Sequence, residues 1–158
     1  MKYVGIDIGM PAIEHCKRNS EFDFICGDFI KMGFDDKYDL VFSHAVIDHV
    51  YDIDRFLSKI VSVCKKYAYI SAYRGYFPNL EQHEMIWDNE KGCYYNNVSV
   101  KQVEKIFSQN NLNRNEFTIR EQKNGMQLGR PYSIGLNGME TLIEIHLQKR
   151  PLLEDEKH

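Results

Sequence analysis

The chain has 158 residues, a formal net charge of −3 and a composition ordinary for a globular protein except for its many aromatics. That length supports one domain with a real core but not two large ones. The charge excludes broad nucleic-acid tracking, because Lys65-Lys66 and Lys149-Arg150 are too short to follow a phosphate backbone, and no apolar run approaches the roughly 20 residues that span a bilayer.

In chain order, residues 4–8 form a short apolar run closed by Asp7 and Gly9, which predicts a strand. Pro11 then suits a first helical turn and Lys17-Arg18 a last one. Residues 22–26 alternate like a strand and end at Gly27-Asp28-Phe29. After a charged turn, residues 40–42 are apolar and short, as suits a strand buried on both faces. Ser43, His44 and Ala45 follow, then Asp48-His49-Val50. Ile53, Phe56, Leu57, Ile60, Val61 and Cys64 recur at helical spacing, with acids before them and Lys65-Lys66 after. Residues 67–72 read as the next buried strand.

A long polar and aromatic connection follows, with Tyr73, Arg74, His83, Trp87, Tyr94 and Tyr95. Two readings fit it: a substrate pocket with one cation, or a small aromatic cluster under a loop. Ser99 to Gln102 spell a capping box, flanked by Val98 and Val103 as a hydrophobic staple. Val100, Val103, Ile106 and Phe107 give the helix it opens an apolar face, and Asn110-Asn111 ends it. Residues 117–119 and 141–147 read as strands, with a hairpin loop over 123–131. Residues 1–150 are expected to form a single domain and 151–158 a charged tail.

The segment Tyr38-Asp39-Leu40-Val41 with Asp48-His49-Val50 resembles the fourth-strand motif of class I S-adenosylmethionine (SAM) dependent methyltransferases. The stretch Gly5-Ile6-Asp7-Ile8-Gly9 resembles that family's second strand, and Asp28-Phe29 its third-strand ending. The resemblance implies an α/β, three-layer Rossmann-like methyltransferase fold. Its sheet is mostly parallel, with strand order 3-2-1-4-5-7-6 and an antiparallel C-terminal hairpin. It implies SAM as cofactor. Asp7 would take the ribose hydroxyls, Ile8 and Phe29 would pack on adenine, and Asp28 would meet its amino group. Ser43, His44 and Ala45 would line the cofactor edge. The bland alternatives are a strand-capping Asp7 and a solvated turn at Asp28.

The family's first strand and glycine-rich loop have no counterpart before residue 3, so the expectation is an N-terminally truncated domain that binds SAM weakly by itself. A preceding segment or a second copy would then complete the sheet. A second register, with residues 5–9 as the first strand and Asp28 as the ribose acid, fits less well, since Met10-Pro11 stands where glycines belong. Methyl transfer needs a positioned nucleophile and, where the acceptor carries a proton, a base. His49 and His44 are the catalytic candidates, with His83 from the connection. His44 and Asp48 share a helical spacing, but no third or fourth metal ligand accompanies them, so no metal is expected.

The expected function is methyl transfer to a small molecule, without nucleic-acid or membrane partners. The rival reading is a non-catalytic methyltransferase-like remnant or partner subunit that uses its aromatics for protein contact. A nucleotide-binding α/β domain is a third candidate, weakened by the absence of a Gly-x-Gly-x-x-Gly run. Four cysteines without a Cys-x-x-Cys pair, and no export signal, predict a cytoplasmic protein.

Overall fold

The computed structural model describes residues 2–72, 74, 77–123 and 141–148, which fall into two units, Met1–Asp35 and Asp36–His158. The first unit is a strand, a helix and a strand. Strand β1 spans Val4–Asp7, helix α1 Met10–Asn19 and strand β2 Asp23–Cys26. The two strands pair in parallel, with Asp7 opposite Cys26, and the Gly27 N–H extends the ladder to the Asp7 carbonyl. Helix α1 carries its proline in the first turn and Lys17 and Arg18 in the last, as the dipole favours. Gly5 is needed where it stands: a Cβ there would lie 2.5 Å from the Phe24 ring.

In the second unit, strand β3 covers Tyr38–His44, helix α2 Ile53–Val63 and strand β4 Cys64–Ala72. A hairpin of β5, Glu84–Asp88, and β6, Cys93–Asn97, follows. Helix α3, Val100–Gln109, leads to β7, Phe117–Lys123, and β8, Thr141–Gln148. The main sheet has the order β3-β4-β8-β7, with β3 and β4 parallel and β8 antiparallel to both neighbours. Taken with the pair β1-β2, these are the two parts, 3-2 and 4-5-7-6, of the expected strand order. The core of this unit is built by α2, α3 and β4. Ile53, Phe56, Leu57, Ile60 and Val61 of α2, Val103, Ile106 and Phe107 of α3, and Ala68, Ile70 and Ala72 of β4 are all buried.

Four expectations need correction. Strand β3 is not buried on both faces: Leu40 and Phe42 are 62% and 66% exposed. The buried α2 residues serve the opposite face, which carries Ser43, and Phe42 stacks on Tyr69 of β4 instead. Helix α2 ends at Val63, so Cys64 and Lys65-Lys66 belong to β4 and do not oppose the helix dipole. Lys66 instead pairs with Asp39 at 3.2 Å. The aromatic connection is not a loop but the β5–β6 hairpin. Asp88 closes its turn, its carboxylate accepting from the Glu90 and Lys91 amides, and Gly92 supplies a φ of 65°. Finally, the capping box is half formed. Ser99 Oγ accepts from the Gln102 amide, but the Gln102 side chain does not return to Ser99. The Ser99 amide donates to His83 Nδ1, and Gln102 bonds the His83 amide and the Asp54 carboxylate. The hairpin loop expected over 123–131, the tail at 151–158 and Tyr73 lie outside the described residues, save for Lys123 in β7.

Candidate functional site

The carboxyl edge of a parallel sheet is where an α/β fold offers backbone and side chains to a ligand. In the first unit that edge carries Asp7, Ile8, Asp28 and Phe29. Asp7 ends β1, and Asp28 follows β2 by two residues, so both carboxylates stand at the same edge of one strand pair. Asp7 Oδ1 accepts the Gly9 N–H at 2.6 Å, which is the strand-capping role. Its Oδ2 makes no hydrogen bond among the described residues, and the residue is exposed. Ile8 beside it is 74% exposed, an unusual place for an isoleucine. Asp28 closes a turn through the Ile30 amide at 3.0 Å and pairs with Lys31 at 3.3 Å. Phe29 packs against Phe34, with ring centroids 5.4 Å apart.

In the second unit the same kind of edge holds Ser43, His44 and Ala45. Ser43 is buried, and its Oγ has no hydrogen-bond partner among the described residues. A buried hydroxyl without a partner is costly and is the kind of atom that awaits a ligand or water. Ala45 has a φ of 55°, a left-handed conformation that costs a non-glycine residue about 1 kcal/mol. Its amide donates to the Ser71 carbonyl, and this turn carries the chain off the sheet. His44 is exposed, and its Nδ1 lies 2.6 Å from Ser71 Oγ on the neighbouring strand. Asp48 is fully buried and faces Arg74, whose amide donates to its carboxylate at 3.0 Å. It therefore shares no outward face with His44.

The hairpin is tied to this edge by Asn96. Its side chain is buried and donates to the carbonyls of Ile47 and Val50 at 2.9 and 2.8 Å, while its amide donates to the Asp48 carbonyl. His49 Nδ1 meets the Tyr94 carbonyl at 2.7 Å, and its ring meets Tyr95 edge-on. Arg74 lies over the Tyr95 ring, 5.0 Å from its centroid, and donates to the Asn97 side chain. Lys91 also lies over that ring and bonds its hydroxyl; that hydrogen bond, first, pushes the Lys91 pKa up. Trp87 and Tyr94 form a cross-strand pair, edge to face at 4.9 Å. The aromatic cluster is thus engaged with itself, and of its members Trp87 remains half exposed. Sequence reasoning missed Asn96 and Ser71. Neither carried a local signal, since each matters only through its partner across the fold.

His83 lies in a different environment from the other two histidines. Its side chain is 5% exposed, with Nδ1 receiving the Ser99 amide and Nε2 at 3.6 Å from Asp54. Burial lowers its pKa to about 4, and the Asp54 carboxylate offsets only part of that. It is a structural clamp at the start of α3 and turns away from a base's work at neutral pH. A histidine held neutral by burial excludes a proton that the unfolded chain accepts below its ordinary value of about 6.5. Its stabilising contribution is therefore complete above pH 6.5 and declines as pH falls toward 4. The full span is about 3 kcal/mol for a shift of this size. Urea midpoints at pH 4.5 and 7 are expected to differ by less in His83→Asn, whose amide oxygen accepts the Ser99 N–H without titrating.

Comparison with known proteins agrees with this geometry. A family model described as a methyltransferase domain matches residues 1–72. No curated protein matches the chain. Among solved structures, the chain is similar to magnesium protoporphyrin IX methyltransferase from Synechocystis PCC 6803 with bound SAM. There the TM-score is 0.56 and the identity 16%, over 93% of this chain and 60% of that one. A putative SAM-dependent methyltransferase from Listeria monocytogenes gives 0.65 at 15% identity, over 94% and 81%. A putative methyltransferase complexed with the Haloferax volcanii Trm112 methyltransferase activator gives 0.61 at 16% identity, over 94% and 73%. Identities this low speak for the fold, which is Rossmann-like. The match to the methyltransferase domain model thus covers residues 1–72, and the likeness of fold to solved SAM-dependent methyltransferases covers nearly the whole chain.

Proposed function

We propose that the protein transfers a methyl group from SAM to a small molecule, with residues 1–150 acting as one methyltransferase-like domain. Asp7 and Asp28, at one edge of paired parallel strands, carry this reading. The residues of the first unit fit the cofactor's adenosine: an exposed carboxylate with one oxygen uncommitted among the described residues, and an exposed isoleucine next to it. SAM, when bound, supplies a methyl group activated on a sulfonium. Asp7 accepts hydrogen bonds from the two ribose hydroxyls, and Asp28 accepts one from the adenine amino group. Ile8 and Phe29 shield the adenine from water. Ser43, His44 and Ala45 line the edge of β3. Where the acceptor carries a proton, His49 or His44 is the group to take it up. Arg74 and the half-exposed Trp87, with Tyr94 and Tyr95, would meet the acceptor. A small acceptor is supported by the likeness of fold to magnesium protoporphyrin IX methyltransferase. Four free cysteines support a reducing cytoplasmic setting.

The test is transfer of a labelled methyl group from SAM by the intact protein, offered in parallel a low-molecular-mass metabolite extract, a protein fraction and an RNA fraction. Label in a small product is the expected result. Label confined to a macromolecule overturns the small-molecule reading. A second reading is favoured by one observation: on β5, Met85, Ile86 and Trp87 are all exposed, and among the described residues β5 pairs with β6 alone. On that reading the domain serves chiefly as a protein partner, as the relative bound to an activator suggests. The absence of any heat with millimolar SAM, together with no label transfer, would favour it.

A further inference from the structure

Two cations share one tyrosine ring in the second unit. Arg74, just after β4, holds its guanidinium 5.0 Å from the Tyr95 centroid, and Lys91, in the β5–β6 turn, holds its ammonium 4.9 Å from it. The hairpin register sets Tyr95 opposite Ile86, and the turn brings Lys91 Nζ back to the Tyr95 hydroxyl at 2.9 Å. The two positive groups therefore lie within roughly 10 Å of each other, about one Debye length at physiological salt, so neither is fully screened from the other.

Each cation is held by a neutral oxygen. The Asn97 side-chain oxygen accepts from Arg74 at 3.1 Å, and the Tyr95 hydroxyl accepts from Lys91. The Tyr95 hydroxyl first, and Asp88 to a smaller degree, favour the charged form of Lys91. The acids of this region are engaged with other donors. Glu84 accepts from the Asn97 side-chain nitrogen at 3.0 Å, so Asn97 stands between that carboxylate and Arg74. Asp88 accepts from the Glu90 and Lys91 amides, and Asp48 from the Arg74 amide. Arg74 and Tyr95 are half-buried and Lys91 is exposed, so a ligand reaches the ammonium from solvent. Like charges gathered on one ring repel, and an anion beside them relieves the repulsion. A guanidinium and an ammonium both suit carboxylate or phosphate oxygens.

His49 belongs to the same patch. Its ring meets Tyr95 edge-on at 5.2 Å, and its Nδ1 donates to the Tyr94 carbonyl, so the lone pair of the neutral ring is on Nε2. An anion seated on Arg74 and Lys91 thus lies beside a group able to take up a proton.

We propose that Arg74 and Lys91, gathered on the Tyr95 ring, seat an acidic group of the acceptor, so that the molecule methylated is an anion, a carboxylate or a phosphate, and not an amine. The inference rests on the methyltransferase reading for calling that molecule an acceptor, but the anion seat is judged without SAM.

The test titrates the protein, without cofactor, with benzoate, phenyl phosphate and benzylamine, and follows the Tyr95 ring and Lys91 side-chain signals by NMR. Both anions are expected to shift these signals to saturation in the millimolar range, and benzylamine to leave them in place. The tighter of the two anions tells carboxylate from phosphate. Lys91 is exposed, so Lys91→Glu leaves the fold intact; it is expected to weaken both anions by at least about 10-fold, while Lys91→Arg keeps them. No shift with either anion, benzylamine bound as tightly as benzoate, or an affinity unchanged in Lys91→Glu overturns the proposal. Labelled SAM is then offered with a metabolite extract divided by ion exchange into acidic, basic and neutral fractions. Label in the acidic fraction is the expected result, and label in the basic or neutral fraction alone overturns the anionic acceptor. Label in none of them counts against the methyltransferase reading, while the titration still judges the anion seat.

Discussion

Asp7→Ala is expected to weaken SAM and S-adenosylhomocysteine binding by more than about 100-fold in the intact protein, as measured by calorimetry. Two charge-assisted hydrogen bonds to ribose hydroxyls are removed, each worth roughly 1.5–3 kcal/mol, and the site keeps only what the rest of the nucleoside supplies. The fold should survive. Asp7 is exposed, and among the described residues its carboxylate bonds the protein only through the cap on the Gly9 amide. Loss of a cap of this kind costs about 1 kcal/mol, visible as a small fall in the urea midpoint. Asp7→Asn keeps an oxygen for Gly9 but loses the charge, so its affinity should fall between the two. An Asp7→Ala protein that binds the cofactor as tightly as before would remove the ribose role from this residue and, with it, the assignment of β1 as the family's second strand.

The second large effect is on stability. Asn96→Ala is expected to cost about 3 kcal/mol. The Asn96 side chain is buried and donates to two carbonyls, those of Ile47 and Val50. Truncation leaves both acceptors buried without a donor, at roughly 1–3 kcal/mol apiece, and only local rearrangement can recover part of that. The backbone bond from the Asn96 amide to the Asp48 carbonyl remains. Asn96→Asp should be worse than alanine, since a carboxylate would face two carbonyl oxygens with no proton to offer. The amide orientation follows from the same argument, because a flipped Asn96 would set oxygen against oxygen. Denaturant unfolding of the two variants checks the order. A change under 1 kcal/mol for both would mean that the 47–50 turn does not depend on the hairpin. The same turn presents His49, whose ring is anchored on the Tyr94 carbonyl of that hairpin, so the losses should appear together.

Much of the fold was legible from local pattern. The apolar face of α2 is set out at helical spacing from Ile53 to Val61, and each of those positions is buried. Ser99 was readable as a helix cap because a cap acts on an amide three residues away, whereas Asp52 was read only as an acid near the helix start and caps α2 through the Arg55 amide. The β1-α1-β2 unit, with Asp7 and Asp28 at its edge, followed from an acid after a short apolar run, twice in succession. Other elements were not legible. The segment Glu84–Asp88 has three apolar residues in a row and no clean alternation, so it read as a connection. It becomes a strand because Cys93–Asn97 lies opposite, supplying a partner for Trp87 in Tyr94. The expected burial of Leu40 and Phe42 failed for a related reason. An apolar run states that a strand can be covered on both sides, not that both covers are present.

The chain's own residues thus determined its secondary elements, their order, and the two carboxylates and two histidines placed after parallel strands. Those features depend on neighbours within a few positions, where spacing and residue type carry the information. Only the tertiary structure decided what each side chain does. His83 became a clamp because Ser99 and Asp54 closed around it. Asn96 became a tie because two carbonyls from a distant turn reached it. His44 gained a defined ring orientation because the register of two strands set Ser71 beside it. A hydrogen bond between residues tens of positions apart is set by strand pairing and by the cost of burying polar atoms, and neither is written in any local stretch of sequence.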